Sequence, residues 1–138
     1  MRIDDLPQDW FSRVPHLAEK LRGVDLPNPQ GYMHLAIQFI RDDKIKLGSG
    51  VVLHSATATQ DEDKWQGRVG LIISSGPECY KNPRSTGDSV WAQPGDWVLW
   101  PKLENVASRF SYNGVILCLI QDDRVLATGV DPAMVMFR

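Results

Sequence analysis

The stretch Ser108-Arg109-Phe110-Ser111-Tyr112-Asn113-Gly114-Val115-Ile116-Leu117-Cys118-Leu119-Ile120 decides the fold. At its centre, Asn113-Gly114 is the strongest short-range signal for a β-hairpin, because both residues tolerate the positive φ angles of a type I′ turn. The sequence therefore predicts two antiparallel strands, at 108–112 and 115–120, joined by a tight turn.

Outward from this hairpin, further segments show the apolar alternation or turn boundaries of strands. The predicted strands are 32–39, 68–74, 97–100 and 124–128. The last of these follows Gln121-Asp122-Asp123, and two acids in a tight turn are normally solvated. The pattern predicts a mostly antiparallel β domain, in the form of a small barrel whose closure removes exposed edges.

The strand predicted at 32–39 has two different faces. Met33, Leu35, Ile37 and Phe39 alternate with more polar residues, which is typical of a strand with one face in a core. His34 falls on the other face, so the sequence favours an exposed or hydrogen-bonded histidine over a ligand.

Residues 1–30 differ in character from the rest. The i, i+4, i+7 spacing predicts an amphipathic helix that Ser12 caps and Gly23 ends, with the apolar face formed by Trp10, Val14, Leu17, Ala18 and Leu21. Prolines at 27 and 29 then indicate an extended connector. We expect an N-terminal helical extension at 1–30, followed by a β domain at 31–138.

Composition excludes several classes of protein. With 138 residues, 43% hydrophobic and 23% charged, the chain has the size and composition of one globular domain. Its net charge of −2 and lack of a basic block argue against nucleic acid as a partner. The longest apolar run, residues 115–120, is far shorter than the ~20 residues of a membrane-spanning helix. We therefore expect a cytoplasmic protein that does not contact a membrane.

No catalytic or metal-binding motif is legible. The three histidines lack metal-ligand spacing, and Cys79 and Cys118 are not part of a C-x-x-C pair. Nucleophile elbows and phosphate-binding glycine loops are missing as well. The sequence predicts a protein that is not an enzyme and that binds neither a metal nor a cofactor.

Two long loops are predicted, at 41–66 and 78–93. In the first, Gly48-Ser49-Gly50 leads into the apolar triplet Val51-Val52-Leu53, which a polar, acidic stretch follows. One interpretation is a glycine turn before a short buried strand. The other is an apolar hook, displayed by a loop in which Gly48 and Gly50 give backbone freedom, that fills a groove on a partner.

The order of these segments resembles the GroES-type co-chaperonins from about residue 32 to residue 134. The hook is similar to that family's Gly-Gly-Ile-Val-Leu-like loop, and Gln66-Gly67-Arg68-Val69-Gly70-Leu71-Ile72-Ile73-Ser74-Ser75-Gly76 to its following strand. Pro94-Gly95-Asp96-Trp97-Val98-Leu99-Trp100 is similar to its Val-Gly-Asp-x-Val-x-Phe segment, and residues 115–127 to its closing strand and acidic turn.

The resemblance implies a GroES-like β-barrel subunit of a seven-fold ring that caps a chaperonin and assists ATP-dependent protein folding. It implies that Val51, Val52 and Leu53 bind the chaperonin, that the 41–66 loop is the mobile loop, and that the 78–93 loop forms the roof. ATP is then bound by the partner and not by this chain.

The chain also departs from the family. It lacks the family's Pro-x-x-Asp-Arg-type beginning, adds segments at both ends and is richer in tryptophan, which suggests a divergent, phage-encoded version working in the host cytoplasm. Trp65, Tyr80 and Trp91 are its interface candidates.

One alternative to the co-chaperonin function is a virion structural protein, a capsid decoration or cement subunit bound to capsid proteins. Another is a small-ligand-binding barrel with a pocket lined by Trp97 or Trp100.

Overall fold

The computed structural model describes residues 1–41, 67–102 and 107–135, together with the backbone pairing of 45–46 with 52–53. The described chain is mostly antiparallel sheet with one short α-helix, α1, at Pro15–Leu21. The strands are β1 (Met33–Gln38), β2 (Ile45–Lys46), β3 (Val52–Leu53), β4 (Val69–Ser75), β5 (Trp97–Leu99), β6 (Ala107–Tyr112), β7 (Val115–Gln121) and β8 (Ala127–Thr128). The mostly β prediction is confirmed.

Six strands form one sheet in the order β6-β7-β1-β4-β5-β8. The predicted hairpin is confirmed, because β6 and β7 pair from Tyr112 opposite Val115 to Ala107 opposite Ile120. Its turn residues Asn113 and Gly114 have φ angles of 49° and 81°, as a type I′ turn requires. The hairpin places β7 beside β1 at the centre of the sheet.

The two ends of this sheet do not meet. β6 and β8 are its outer strands, and within the described ranges 1–41, 67–102 and 107–135 no ladder joins them. The predicted closure into a barrel is therefore not confirmed.

Both faces of β1 are covered, which corrects the one-sided burial expected from its alternation. Leu35 and Ile37 pack in a large cluster with the N-terminal segment, including Phe11 and Leu17. On the opposite face, Ala36 packs in a smaller cluster, whose other buried members are Ile72, Ala92, Val98, Trp100, Cys118, Ile120 and Val125. His34 and Gln38 share that second face and are fully buried. A polar residue in the alternation thus marks a second interior and not a solvent face.

The N-terminal helix is shorter than the spacing predicted. α1 begins at Pro15, with Val14 and not Ser12 at its N-cap, and Trp10 lies in a separate 3₁₀ turn at Gln8–Phe11. Proline is favoured in the first helical turn because its missing N–H has no intrahelical acceptor there. The end is as predicted, since Gly23 follows the helix with a φ of 70°.

The predicted strand at 124–128 is also shorter. Asp122–Arg124 is a 3₁₀ turn, and only Ala127 and Thr128 pair with β5. Asp122 is 3% exposed, so the prediction of a solvated turn is wrong for that residue. Its carboxylate accepts a hydrogen bond from a backbone N–H of the 78–93 loop.

Candidate functional site: the 78–93 loop and its buried anchor

Two residues of the predicted hook lie outside the main sheet. Val52 and Leu53 form β3, whose backbone, among the described residues, pairs with β2 in a separate two-stranded ladder. This ladder lies within the connection between β1 and β4, which are antiparallel neighbours. The remaining predicted residues of this connection, Gly48, Gly50, Val51 and Trp65, lie outside the described residues.

The other two interface candidates come together in the 78–93 loop. The rings of Tyr80 and Trp91 are 6.3 Å apart between centroids and tilted by 43°. Tyr80 is 8% exposed, whereas Trp91 is 39% exposed and its neighbour Val90 is 66% exposed. Tyr80 is thus the buried support of an aromatic and aliphatic surface at Val90 and Trp91.

His34 links this support to the centre of the sheet. Its Nδ1 lies 2.7 Å from the Ser75 hydroxyl oxygen, and its Nε2 lies 2.8 Å from the Tyr80 hydroxyl oxygen. A neutral imidazole has one donor and one acceptor nitrogen, and each hydroxyl serves as either. Both ring nitrogens of this fully buried side chain are therefore satisfied in either tautomer.

The surroundings of His34 oppose a positive charge. Burial lowers the pKa of its imidazole to about 4, although the charges of Asp122 and Asp96 act in the opposite direction. The ring is accordingly neutral at pH 7. Burial, reinforced by Asp122, also raises the pKa of the Tyr80 hydroxyl, so that both partners in this hydrogen bond are neutral.

Asp122 holds the backbone of the same loop. The Tyr80 N–H donates to the Asp122 carboxylate over 2.7 Å, and the Asp122 N–H donates to the Tyr32 carbonyl over 2.9 Å. Tyr80 has a φ of 61°, a left-handed conformation that a non-glycine residue adopts only when its surroundings stabilise it. Next to Asp122, Asp123 accepts a hydrogen bond from the Ser85 hydroxyl over 3.0 Å. The 3₁₀ turn and β1 together fix the start of the loop.

Neither described cysteine thiol is activated. Cys79 donates to the Met33 carbonyl over 3.4 Å, and burial, followed by the charge of Asp122, raises its pKa to about 11. Cys118 donates to the Gln38 side chain over 3.6 Å, and burial raises its pKa to about 12. A thiolate is the reactive form, so both thiols are poor nucleophiles at neutral pH.

These contacts attach the start of the 78–93 loop to β1 and to the 3₁₀ turn at Asp122–Arg124. In the part of the chain that the structure describes, no three His, Cys, Asp or Glu side chains are grouped so that they would hold a metal ion. No described helix is long and apolar enough to cross a bilayer. In the described arrangement the exposed Trp91 lies beside the buried Tyr80 ring, and Val90 is exposed next to it in the sequence.

Tyr80 and Trp91 were interface candidates from the sequence, and that role stays a prediction, whereas the anchors Asp122 and Ser75 were not singled out. The signal for His34 was present, because a histidine in the alternating pattern of a strand was expected to be exposed or hydrogen-bonded. For Asp122 no local signal exists, since its partner, the Tyr80 N–H, lies far away in the sequence.

Comparison with known proteins finds no family model and no curated protein that matches this chain.

Proposed function

We propose that this chain is a ring-forming, co-chaperonin-like subunit that caps a chaperonin and assists ATP-dependent folding through its apolar hook. In this proposal Val51, Val52 and Leu53 fill a groove on the chaperonin, which binds the ATP. The subunit works in the cytoplasm, or in the host cytoplasm if it is phage-encoded. The closure of the six-stranded sheet into a GroES-like barrel, and seven-fold symmetry, belong to the same proposal.

One observation carries the proposal. The backbone of Val52 and Leu53 pairs with β2 in its own ladder and does not join the six-stranded sheet. Val52 and Leu53 are thus not part of the six-stranded sheet, as a displayed hook requires, although the other interpretation, a glycine turn before a short buried strand, also predicts a short strand at this place. A small apolar segment would bind weakly alone, because loop ordering cancels much of the gain, whereas a ring that carries many copies binds through effective concentration.

The edge of the sheet at β8 supports self-association. Its residues Ala127 and Thr128 are exposed, as is the adjoining Leu126 side chain at 62%, and farther along the chain Met134 is 79% exposed. Uncovered edge strands and exposed apolar side chains favour contacts with other chains. In the proposed ring, a neighbouring subunit covers this edge.

The test is binding to a purified chaperonin. Native mass measurement first establishes whether the protein forms a ring, and binding is then measured with and without ATP or ADP. We expect nucleotide-dependent binding that the double substitution Val52→Asp and Leu53→Asp abolishes, because two carboxylates would be desolvated in an apolar groove.

The double substitution Asn28→Asp and Gln30→Glu is the matched control, since it adds the same two negative charges at exposed positions outside the 41–66 loop. It should leave chaperonin binding intact. Equal binding by the hook variant and the wild type would refute the hook, and a monomer without chaperonin affinity would refute the ring.

The alternative of a virion structural protein predicts a different distribution. A capsid decoration subunit would co-purify stoichiometrically with assembled particles and form no ring alone. The exposed Leu126 and Met134 suit a capsid contact as well as a ring contact, so particle composition separates the two functions.

A further inference from the structure

The end of β1 is held by α1, at the point where the chain leaves the sheet toward the hook. The His16 Nε2 donates to the Ile40 carbonyl over 2.6 Å. Either an imidazole with its proton on Nε2 or an imidazolium makes this bond. Ile40 is buried, and its neighbour Phe39 donates its N–H to the Val69 carbonyl over 3.0 Å. The contact therefore lies directly after the last cross-strand bond of β1.

The C-terminal segment holds the next residue. The Arg41 guanidinium donates to the Val135 carbonyl over 3.0 Å, and it also lies over the Phe39 ring, 5.6 Å from its centroid. Two adjacent residues that follow β1 are thus bonded to different segments: Ile40 to His16 of α1, and Arg41 to Val135.

An ion pair connects those two ends to each other. An Arg13 Nη atom lies 3.3 Å from an Asp131 carboxylate oxygen, and a second Nη donates to the other oxygen over 3.4 Å. The contacts form a closed cycle: Arg13 to Asp131, along the chain to Val135, then Arg41, Ile40, His16 and back to Arg13. In a closed cycle, releasing one contact leaves the others less constrained, so their free energies are coupled.

We infer that these contacts act as a terminal clamp, in which the segments at 13–16 and 131–135 jointly fix the end of β1 and so set how firmly the 42–66 connection is rooted. The clamp gives both terminal segments a task in positioning the hook. This last step rests on the proposed function, whereas the coupling between the terminal segments and the end of β1 does not.

Asp131→Asn tests the coupling. Asparagine keeps the side-chain oxygen that accepts from the Ala133 N–H and removes only the charge that pairs with Arg13. Asp25→Asn is the matched control, because it removes the same charge from the exposed Arg2–Asp25 pair, which is no part of the clamp. A third variant, Arg41→Met, keeps the aliphatic stem and removes the guanidinium, and with it both the bond to Val135 and the contact over the Phe39 ring.

The readout is native-state hydrogen exchange at the Phe39 amide. We expect Asp131→Asn to speed this exchange by about two- to fivefold, the range that an exposed ion pair supports. Asp25→Asn should leave it unchanged, and Asp131→Asn should add nothing further in the Arg41→Met background. Unchanged exchange in Asp131→Asn, or fully additive effects, would overturn the clamp.

The use of the clamp by the hook is measured separately. If the wild type binds a chaperonin, Asp131→Asn should weaken that binding by a similar factor, because part of the ordering at the root of the loop is then left to binding. Faster Phe39 exchange with unchanged affinity would refute the role in hook positioning. A wild type that binds no chaperonin would refute that role together with the proposed function, while the exchange result would still decide the clamp itself.

Discussion

At the scale of the residue, His34 shows how hydrogen bonds allow a polar side chain to be buried in this interior. Its two ring nitrogens meet the hydroxyls of Ser75 and Tyr80, so burial leaves neither without a partner. An unsatisfied buried polar group costs about 1–3 kcal/mol, which explains why such groups are normally found in complete pairs. The same burial makes a charge on the ring unfavourable.

That environment predicts a specific acid sensitivity. The pKa of His34 is about 4 in the folded protein, against about 6.5 for an unfolded histidine. As the pH falls below about 6.5, the unfolded chain binds a proton that the folded chain does not, so stability decreases until the pH reaches the folded pKa. The full loss attributable to this group is roughly 3 kcal/mol. Urea unfolding at a series of pH values between about 7 and 4.5 measures it.

The control for this effect is His34→Gln, which keeps hydrogen-bonding capacity without a titrating ring. Carboxylates titrate in both proteins, so the quantity of interest is the difference between the two pH profiles. We expect the wild type to lose stability more steeply than the variant. Parallel profiles would show that His34 does not carry the acid sensitivity.

At the scale of the element, β4 has no room for a side chain at Gly70. Its Gly70 lies opposite Gln38 of β1 and Val98 of β5. A Cβ added there would lie 2.7 Å from the Trp100 ring and in contact with the Ile37 carbonyl oxygen. Glycine is therefore required by the close approach of the Ile37 carbonyl oxygen and the buried Trp100 indole, and not by an unusual backbone conformation.

Gly70→Ala should accordingly destabilise the protein. Overpacking of a well-filled core typically costs about 1–3 kcal/mol, and the backbone oxygen of Ile37 has little freedom to move. Ser108→Ala, at an exposed position of the outer strand β6, should change the free energy of unfolding by less than about 0.5 kcal/mol. Chemical denaturation of both variants decides the matter, and a neutral Gly70→Ala would mean that Trp100 repacks freely.

Predictability at this scale followed the range of the interactions. The β6–β7 hairpin was predicted correctly because the Asn113-Gly114 turn sets its register locally. The start of α1 and the extent of β8 were predicted incorrectly. The helix begins at Pro15 and not after Ser12, and β8 pairs only opposite Val98 and Leu99 of β5, a contact between segments far apart in sequence.

At the scale of the whole molecule, residues 1–30 share a core with the sheet. Ile3, Phe11, Val14, Leu17 and Leu21 are buried in the same cluster as strand residues such as Leu35 and Ile37. Side-chain and backbone bonds add to this attachment, among them the Tyr112 hydroxyl to the Asp25 carbonyl over 2.7 Å. The boundary between an extension at 1–30 and a β domain at 31–138 stays a prediction, and a truncated chain tests whether the two parts are separate folding units.

We expect a chain of residues 31–138 not to fold cooperatively. Without the N-terminal segment, the apolar face that includes Leu35, Ile37 and Leu71 would be open to water. Circular dichroism and thermal unfolding provide the measurement. Leu17→Ala in the full-length chain should fold but lose roughly 2–5 kcal/mol, as expected for a buried leucine. A truncated chain as stable as the full-length protein would make 1–30 an independent extension.

The sequence by itself determined the mostly β class of fold, the central hairpin and the loop at 78–93, because these depend on turn chemistry and on alternation between neighbouring residues. The loop predicted at 41–66 lies mostly outside the described residues. The sequence also singled out Tyr80 and Trp91. Only the tertiary structure decided that β1 is buried on both faces, that Asp122 holds the Tyr80 backbone, and that the segments at 13–16 and 131–135 both contact the residues that follow β1. Those features join residues far apart in sequence, where no local pattern specifies which buried donor will meet which acceptor.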